Sequence, residues 1–286
     1  MMKIALALLL LAAPPALDGA KIEKLTGLKG TLDAKSGTFK VSAPRSDLAV
    51  TVNGVHITPA MGLTSWIAFH PAGKDTMAMG DLVLVEDQVN PVMSLALEQG
   101  FEVTALHNHF FWDSPKVMFM HVGGKGSEEM LASVAGKLFA KIAETSGGKG
   151  ETLRADIDPA KSTLDPKKLE TILGAKGDTK DGVTKFVFGR SVKIGSHEMG
   201  APMGVNTWAA FAGSDDIAVV DGDFAMHESE MQDVLKALRA AKIDVVAIHQ
   251  HMVGETPRTL FLHYWGIGKT SDLAAGLKAA LAKTKD

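Results

Sequence analysis

The sequence predicts an α+β fold made of two tandem repeats, each a mostly antiparallel sheet with helices packed on one face. Three observations predict it: residues that recur at one fixed spacing, strand-like alternation bounded by glycine and proline, and helical apolar spacing after those strands.

The repeat comes first because it decides how every other segment is read. Met61, Gly62 and Trp66 recur as Met203, Gly204 and Trp208, and Gly80, Asp81 and Glu86 recur as Gly222, Asp223 and Glu228. Every pair is 142 positions apart (203−61, 208−66, 223−81), and the same shift carries His107, His109, Pro115, Phe119 and His121 onto His249, His251, Pro257, Phe261 and His263. Upstream, KIEKLTGLKG resembles KKLETILGAKG more loosely, which adds a leading helix to each copy. The expected layout is a signal peptide over 1–20, a first repeat over 21–145, a linker rich in Gly, Lys, Asp and Pro over 146–165, and a second repeat over 166–286.

Within the first copy, GTFKVSA, LAVTVNG and TSWIAFH read as strands, and another follows over residues 79–85. Asn90 and Pro91 open a helix, VMSLALEQ, that ends at Gly100, since glycine readily takes the left-handed conformation that closes a helix. FEVTALHNHF and KVMFMHV are two further strands joined by FWDSP, and Ser127 caps a last helix with Glu128 and Glu129 in its first turn. The second copy repeats this order, with a helix over 230–241, a hairpin over 245–265 and a final helix over 271–281.

Composition narrows the function classes. With 286 residues, 46% of them hydrophobic, the chain is long enough for one large core or two ordinary ones. Its 30 Lys+Arg against 33 Asp+Glu give no basic excess for a phosphate backbone, so nucleic acid is excluded as an expected partner. The opening MMKIALALLLLAAPPALDGA reads as a secretory signal: a lysine, then an apolar run shorter than the ~20 residues a spanning helix needs. A periplasmic or secreted protein without stable membrane insertion is the expectation. The chain has no Cys, which removes disulfides and every thiolate metal ligand.

The chemistry points to the hairpins. His107 and His109 are two apart on an expected strand and so leave one face, and His121 returns opposite or diagonal to His107. Three imidazoles then meet at one spot, and His249, His251 and His263 repeat the arrangement. Imidazole suits zinc first, with an open coordination position, and copper second. A metal-free polar pocket and purely structural histidines stand as the alternatives. Glu255 and Arg258, matched by Asp113 and Lys116, are the candidate catalytic pair, Glu255 as a general base for a metal-bound water and Arg258 steadying an anionic group. A turn role for the acids and a simple ion pair for the cations are the competing readings. Asp81 and Asp223, each after Gly, read as turn or strand-end residues or as partners orienting an imidazole, Glu86 and Glu228 as helix-start acids, and Trp66 and Trp208 as core packing. His56, His70, His197 and His227, which lack a partner at the shift, read as surface residues.

The runs VTVNGVHITPAMGLTSW, VNPVMSLALEQGFEVTALHNH and DVVAIHQHMVGETPRTLFLHYWG resemble the LppY/LpqO family of exported bacterial proteins. The most specific part is His249, His251, Glu255, Pro257, Arg258, Phe261, His263, Trp265 and Gly266. The first copy departs from it at Asp113, Lys116, Val122 and Gly123. The resemblance implies export and supplies no activity. The residues lead to an exported histidine-rich protein binding zinc or copper, with metal-dependent hydrolysis if it is catalytic. A non-catalytic binding module for a small anionic or cell-envelope ligand and a metal buffer or carrier are the other readings.

Overall fold

The computed structural model describes residues 16–147 and 153–285. The first half runs α1 (Gly19–Thr26), β1 (Gly30–Asp33), β2 (Thr38–Pro44), β3 (Thr51–Val52), β4 (Val55–His56), β5 (Thr64–Ala72), β6 (Asp75–Val85), α2 (Glu86–Glu98), β7 (Glu102–His107), β8 (Asp113–Ser114), β9 (Val117–Gly126) and α3 (Glu128–Glu144). The second half repeats that order: α4 (Pro166–Leu173), β10 (Asp178–Lys180), β11 (Val183–Gly189), β12 (Val192–Ile194), β13 (His197–Met199), β14 (Asn206–Gly213), β15 (Ala218–His227), α5 (Met231–Ala240), β16 (Asp244–His249), β17 (Glu255–Thr256), β18 (Thr259–Gly268) and α6 (Thr270–Leu281).

The halves do not form separate sheets. Twelve strands join in the order β1-β2-β5-β6-β9-β7-β16-β18-β15-β14-β11-β10, antiparallel throughout, with β7 against β16 at the middle. Leu106 faces Ile248 there, and 248−106 = 142 is the repeat spacing, so a pseudo-two-fold axis passes through that pair. Two small sheets, β4-β3-β8 and β13-β12-β17, carry the turns of the two hairpins.

Alternation along the strands separates two faces. In β6, Leu82 and Leu84 belong to the large core shared with α1–α6, while Val83 packs with Val50, Ile57, Leu63, Val117 and Phe119 in a small cluster. In β9, Met120 and Val122 belong to the large core, so Phe119 and His121, which alternate with them, leave the other side. The helices thus cover one face, and the histidine hairpins stand on the opposite, open face. The large core includes residues of both halves, from Phe69 and Leu138 to Phe211 and Leu277.

A reciprocal pair of side-chain clamps holds the halves together. Asn90 on α2 accepts from Val245 N at 2.9 Å and donates to Val245 O. Gln232 on α5, 142 positions on, accepts from Val103 N at 3.0 Å and donates to Val103 O at 2.9 Å. Both backbone targets sit beside a register shift in the central strands, where the ladder leaves groups that a side chain can satisfy. Leaving such a group unpaired costs about 1–3 kcal/mol.

The local expectations meet the structure with instructive differences. The first long helix begins at Glu86, with Pro91 inside it, rather than at Asn90. Gly100 follows it at φ 85°, as the glycine stop requires. Ser127 caps α3 and accepts from Met130 N at 3.2 Å. The signal-peptide reading over 1–20 falls mostly outside the described residues, yet Leu17 packs on the core and Asp18 caps α1 through Lys21 N, so the fold begins before residue 20. Within 146–165 the described part is tied to β14, Thr163 N donating to Gly213 O at 2.7 Å. Among the described residues no helix is long and apolar enough to cross a membrane.

Candidate metal centre

The central hairpins position the histidines by register. β7 pairs with β9 so that His107 faces Phe119 and Ala105 faces His121, which puts His121 diagonal to His107 on the open face. β16 and β18 do the same with His249 facing Phe261 and Ala247 facing His263. β7 ends at His107 and β16 at His249, so His109 and His251 lie beyond their strands. Each curls back and stacks on the phenylalanine below it. Ring centroids are 3.3 Å apart for His109 on Phe119 and 3.5 Å for His251 on Phe261.

In the second half three potential ligand atoms converge. Those of Asp223, His249 and His251 lie within 4.8 Å of one another, and this is the one such set among the described residues. A cluster of this composition can hold a metal ion; its identity is not indicated by the geometry.

Hydrogen bonding and burial set how the three groups meet. His251 Nδ1 lies 3.2 Å from the Gly204 carbonyl, which can only accept, so Nδ1 carries a proton and Nε2 is the atom turned to the cluster. That Nε2 faces Asp223 Oδ2 at 3.1 Å and His249 Nε2 at 3.1 Å. One carboxylate oxygen and two imidazole nitrogens thus meet at one point, each an atom able to ligate a metal ion. Asp223 is 3% exposed, and its Oδ1 is buried without a hydrogen-bond partner, as is His249 Nδ1. Burial holds the Asp223 carboxyl above its usual pKa despite the opposing pull of His263 and His251. Burial, aided by the neighbouring His263 and His251, pushes His249 down to about 4, so its ring is neutral near pH 7. A desolvated carboxylate beside a neutral imidazole is the donor set a divalent ion relieves.

His263, expected as a third ligand, stands beside Asp223 in register, and its ring stacks on His249 at 4.6 Å between centroids. Its nitrogens are not part of the converging set. In the first half the closest approach is between strands, His121 Nε2 to His107 Nε2 at 3.1 Å. His109 is held below its usual pKa by burial, against the pull of Asp81 and with the push of His107 and His121. Asp81 faces His121 in register and also has a buried, unpartnered Oδ1.

Both aspartates sit in mid-strand rather than at a turn. The glycines before them serve packing: a Cβ on Gly222 would lie 2.2 Å from the Tyr264 ring, and one on Gly80 2.6 Å from Ile67. Trp66 and Trp208, expected in the core, face Asp81 and Asp223 on the open side, under Lys40 at 4.2 Å and Lys185 at 4.3 Å. Each tryptophan thus stands one strand outside its aspartate, held by a cation–π contact.

Glu255 and Asp113 act on the hairpin turns. Glu255 Oε1 accepts from Thr259 N at 2.9 Å and Asp113 Oδ2 from Val117 N at 2.8 Å, each four residues ahead. Glu255 is 7% exposed and its Oε2 is buried without a partner. Arg258 is directed to Glu228 at 3.8 Å, and Lys116 is exposed. His56, His70 and His197 are exposed, whereas half-buried His227 bonds Thr259 Oγ1 at 3.2 Å.

Fold and site together define a duplicated α+β sheet protein with a histidine–aspartate cluster on its open face. A family model described as Domain of Unknown Function (DUF1259) matches residues 20–141 and again 167–283, and the chain belongs to that family. No curated protein and no solved structure matches the chain.

Proposed function

We propose that the chain is an exported metal-binding protein of the periplasm or extracellular space, of the LppY/LpqO type, that holds zinc, with copper as the second choice. The observation that carries the reading is the convergence of Asp223, His249 and His251 at one point, with buried Asp223 Oδ1 and His249 Nδ1 left unpartnered. His263 in the second half, and His107, His109 and His121 with Asp81 in the first, are the remaining ligand candidates. Cleavage of the leader upstream of Leu17 would keep the α1 cap and its core contact.

A carrier or buffer role fits two clusters per chain. Hydrolysis is the second reading, favoured by the free Oε2 of buried Glu255 as a proton acceptor near the hairpin. In that reading Arg258 would have to leave Glu228 to meet an anionic group. A carrier tolerates Glu255→Gln, and a hydrolase does not.

Elemental analysis of protein purified without a nickel column tests the metal reading. The native chain is expected to carry zinc or copper, and the His249→Ala/His251→Ala variant to carry clearly less. Equal, negligible metal in both samples at neutral pH would end it.

A further inference from the structure

The two clusters lie on one face of one sheet, and strand register fixes how they sit relative to each other. Counting outward from the axial pair Leu106–Ile248, antiparallel pairing puts His107 across from Ala247 and His249 across from Ala105. The neighbouring pairs complete two rows over the four central strands. One row reads His121, Ala105, His249, Phe261 and the other Phe119, His107, Ala247, His263. Asp81 extends the first beside His121, and Asp223 extends the second beside His263.

The clusters are therefore centred over β9 and β18, three strand spacings apart in the order β9-β7-β16-β18. At the usual strand spacing that is about 14 Å. Between those centres stand two alanines and the inner imidazole of each cluster, His107 on β7 and His249 on β16. Ala105 and Ala247 occupy the two rows, Thr104 and Val246 are the adjacent exposed residues, and no charged side chain stands in the rows between the imidazoles. A floor of alanines, flanked by the inner imidazoles, thus joins two groups of ligands that open in the same direction.

We propose that the two clusters form one bivalent site that takes a single linear ligand, uncharged in its middle and carrying an anionic group such as a carboxylate at each end. The ligand lies over Ala105 and Ala247 and reaches one metal ion in each half. This rests on the metal-binding reading above. Allowing about 2 Å of metal–oxygen bond at each end, the two anionic groups are about 10 Å apart. Tethering both ends raises affinity without new contacts, because the second end binds at high effective concentration, a gain of about 100-fold or more when the span matches.

Calorimetric titration of the zinc-loaded chain with straight-chain α,ω-dicarboxylates of increasing length, and with acetate, tests it. Affinity is expected to peak at the length that sets the carboxylates about 10 Å apart, at least about 100-fold above acetate. His107→Ala/His121→Ala, which leaves the second cluster intact, should lose the peak and fall to the acetate value, and the mirror variant His249→Ala/His251→Ala should do the same. No dependence on length, or an unchanged peak in both variants, overturns the bivalent site. Zinc content measured on the same samples separates the two claims. Bound zinc without a length preference refutes only the bivalent site, and absence of zinc refutes the metal reading with it.

Discussion

Asp223→Ala is expected to weaken zinc binding by more than about 100-fold while leaving the apo fold as stable as the native one or slightly more so. Groups that merely orient a ligand from outside the coordination set are worth about 10–100-fold in affinity, and Asp223 is inside the converging set. The stability expectation follows from burial. Asp223 is 3% exposed, one of its oxygens has no partner, and its carboxyl is held above the usual pKa chiefly by desolvation, so the metal-free protein carries a cost that alanine removes. Competition against a chelator of known zinc affinity, with thermal unfolding of the apo protein, measures both. A change of only a few-fold in affinity would remove the aspartate from the ligand set.

The second large effect concerns the frame around the site. Glu230→Ala is expected to destabilise the chain by about 3–5 kcal/mol, the usual consequence of stripping one partner from a buried ion pair. Arg190 Nη1 meets Glu230 Oε2 at 2.7 Å, with side chains 11% and 5% exposed. Glu230 also accepts from His227 N at 2.8 Å and Lys285 N at 2.7 Å, tying the end of β15 to the C-terminal segment. Burial acts to raise the Glu230 pKa, but the hydrogen bonds from Arg190, Lys285 and His227 outweigh it and hold the carboxyl below its usual value. With the folded pKa depressed, the stabilisation is complete above the unfolded value of about 4.3 and is lost as pH falls through the lower folded value. Urea unfolding of native and variant protein should therefore differ fully at pH 7 and converge in strong acid. A difference below about 1 kcal/mol at pH 7 would show the pair to be unimportant. The first half solves the same position differently: Gln88 stands 142 residues before Glu230 and accepts from Arg45 at 3.1 Å, while Asp47 supplies the charge.

What the sequence disclosed was set by local periodicity, and what it concealed was non-local. The hairpins, the cap at Ser127 and the diagonal placement of His121 follow from spacing within a short segment, and the 142-residue shift from direct comparison of the two halves. The fusion of two expected sheets into one does not. The alternation of β7 and β16 is the same whether their outer edges are solvated or paired, and their partner lies 142 residues away. His109 and His251 were legible as site residues for an incomplete reason. They reach the cluster by leaving the strand and stacking on Phe119 and Phe261, not by period-two alternation.

Asp81 and Asp223 read as turn residues in the sequence because Gly–Asp normally signals a turn. Here the glycine is demanded by the Tyr264 ring or by Ile67, which a single sequence cannot reveal. Their recurrence at the repeat spacing beside Trp66 and Trp208 was the available signal. Asn90 and Pro91 looked like a helix start, whereas the amide of Asn90 is engaged by Val245 of the other half and the helix begins at Glu86. The roles of Glu255 and Arg258 depend on neighbours that only the folded hairpin brings together, Thr259 N and Glu228.

X-ray absorption at the zinc edge of the loaded chain reads the coordination shell itself. Imidazole nitrogens are expected at about 2.0–2.1 Å with a carboxylate oxygen at about 2.0–2.2 Å, and the imidazole signature is expected to be lost when His249 and His251 are replaced by alanine. A zinc shell of oxygen alone, or the same spectrum in the variant, would contradict this coordination.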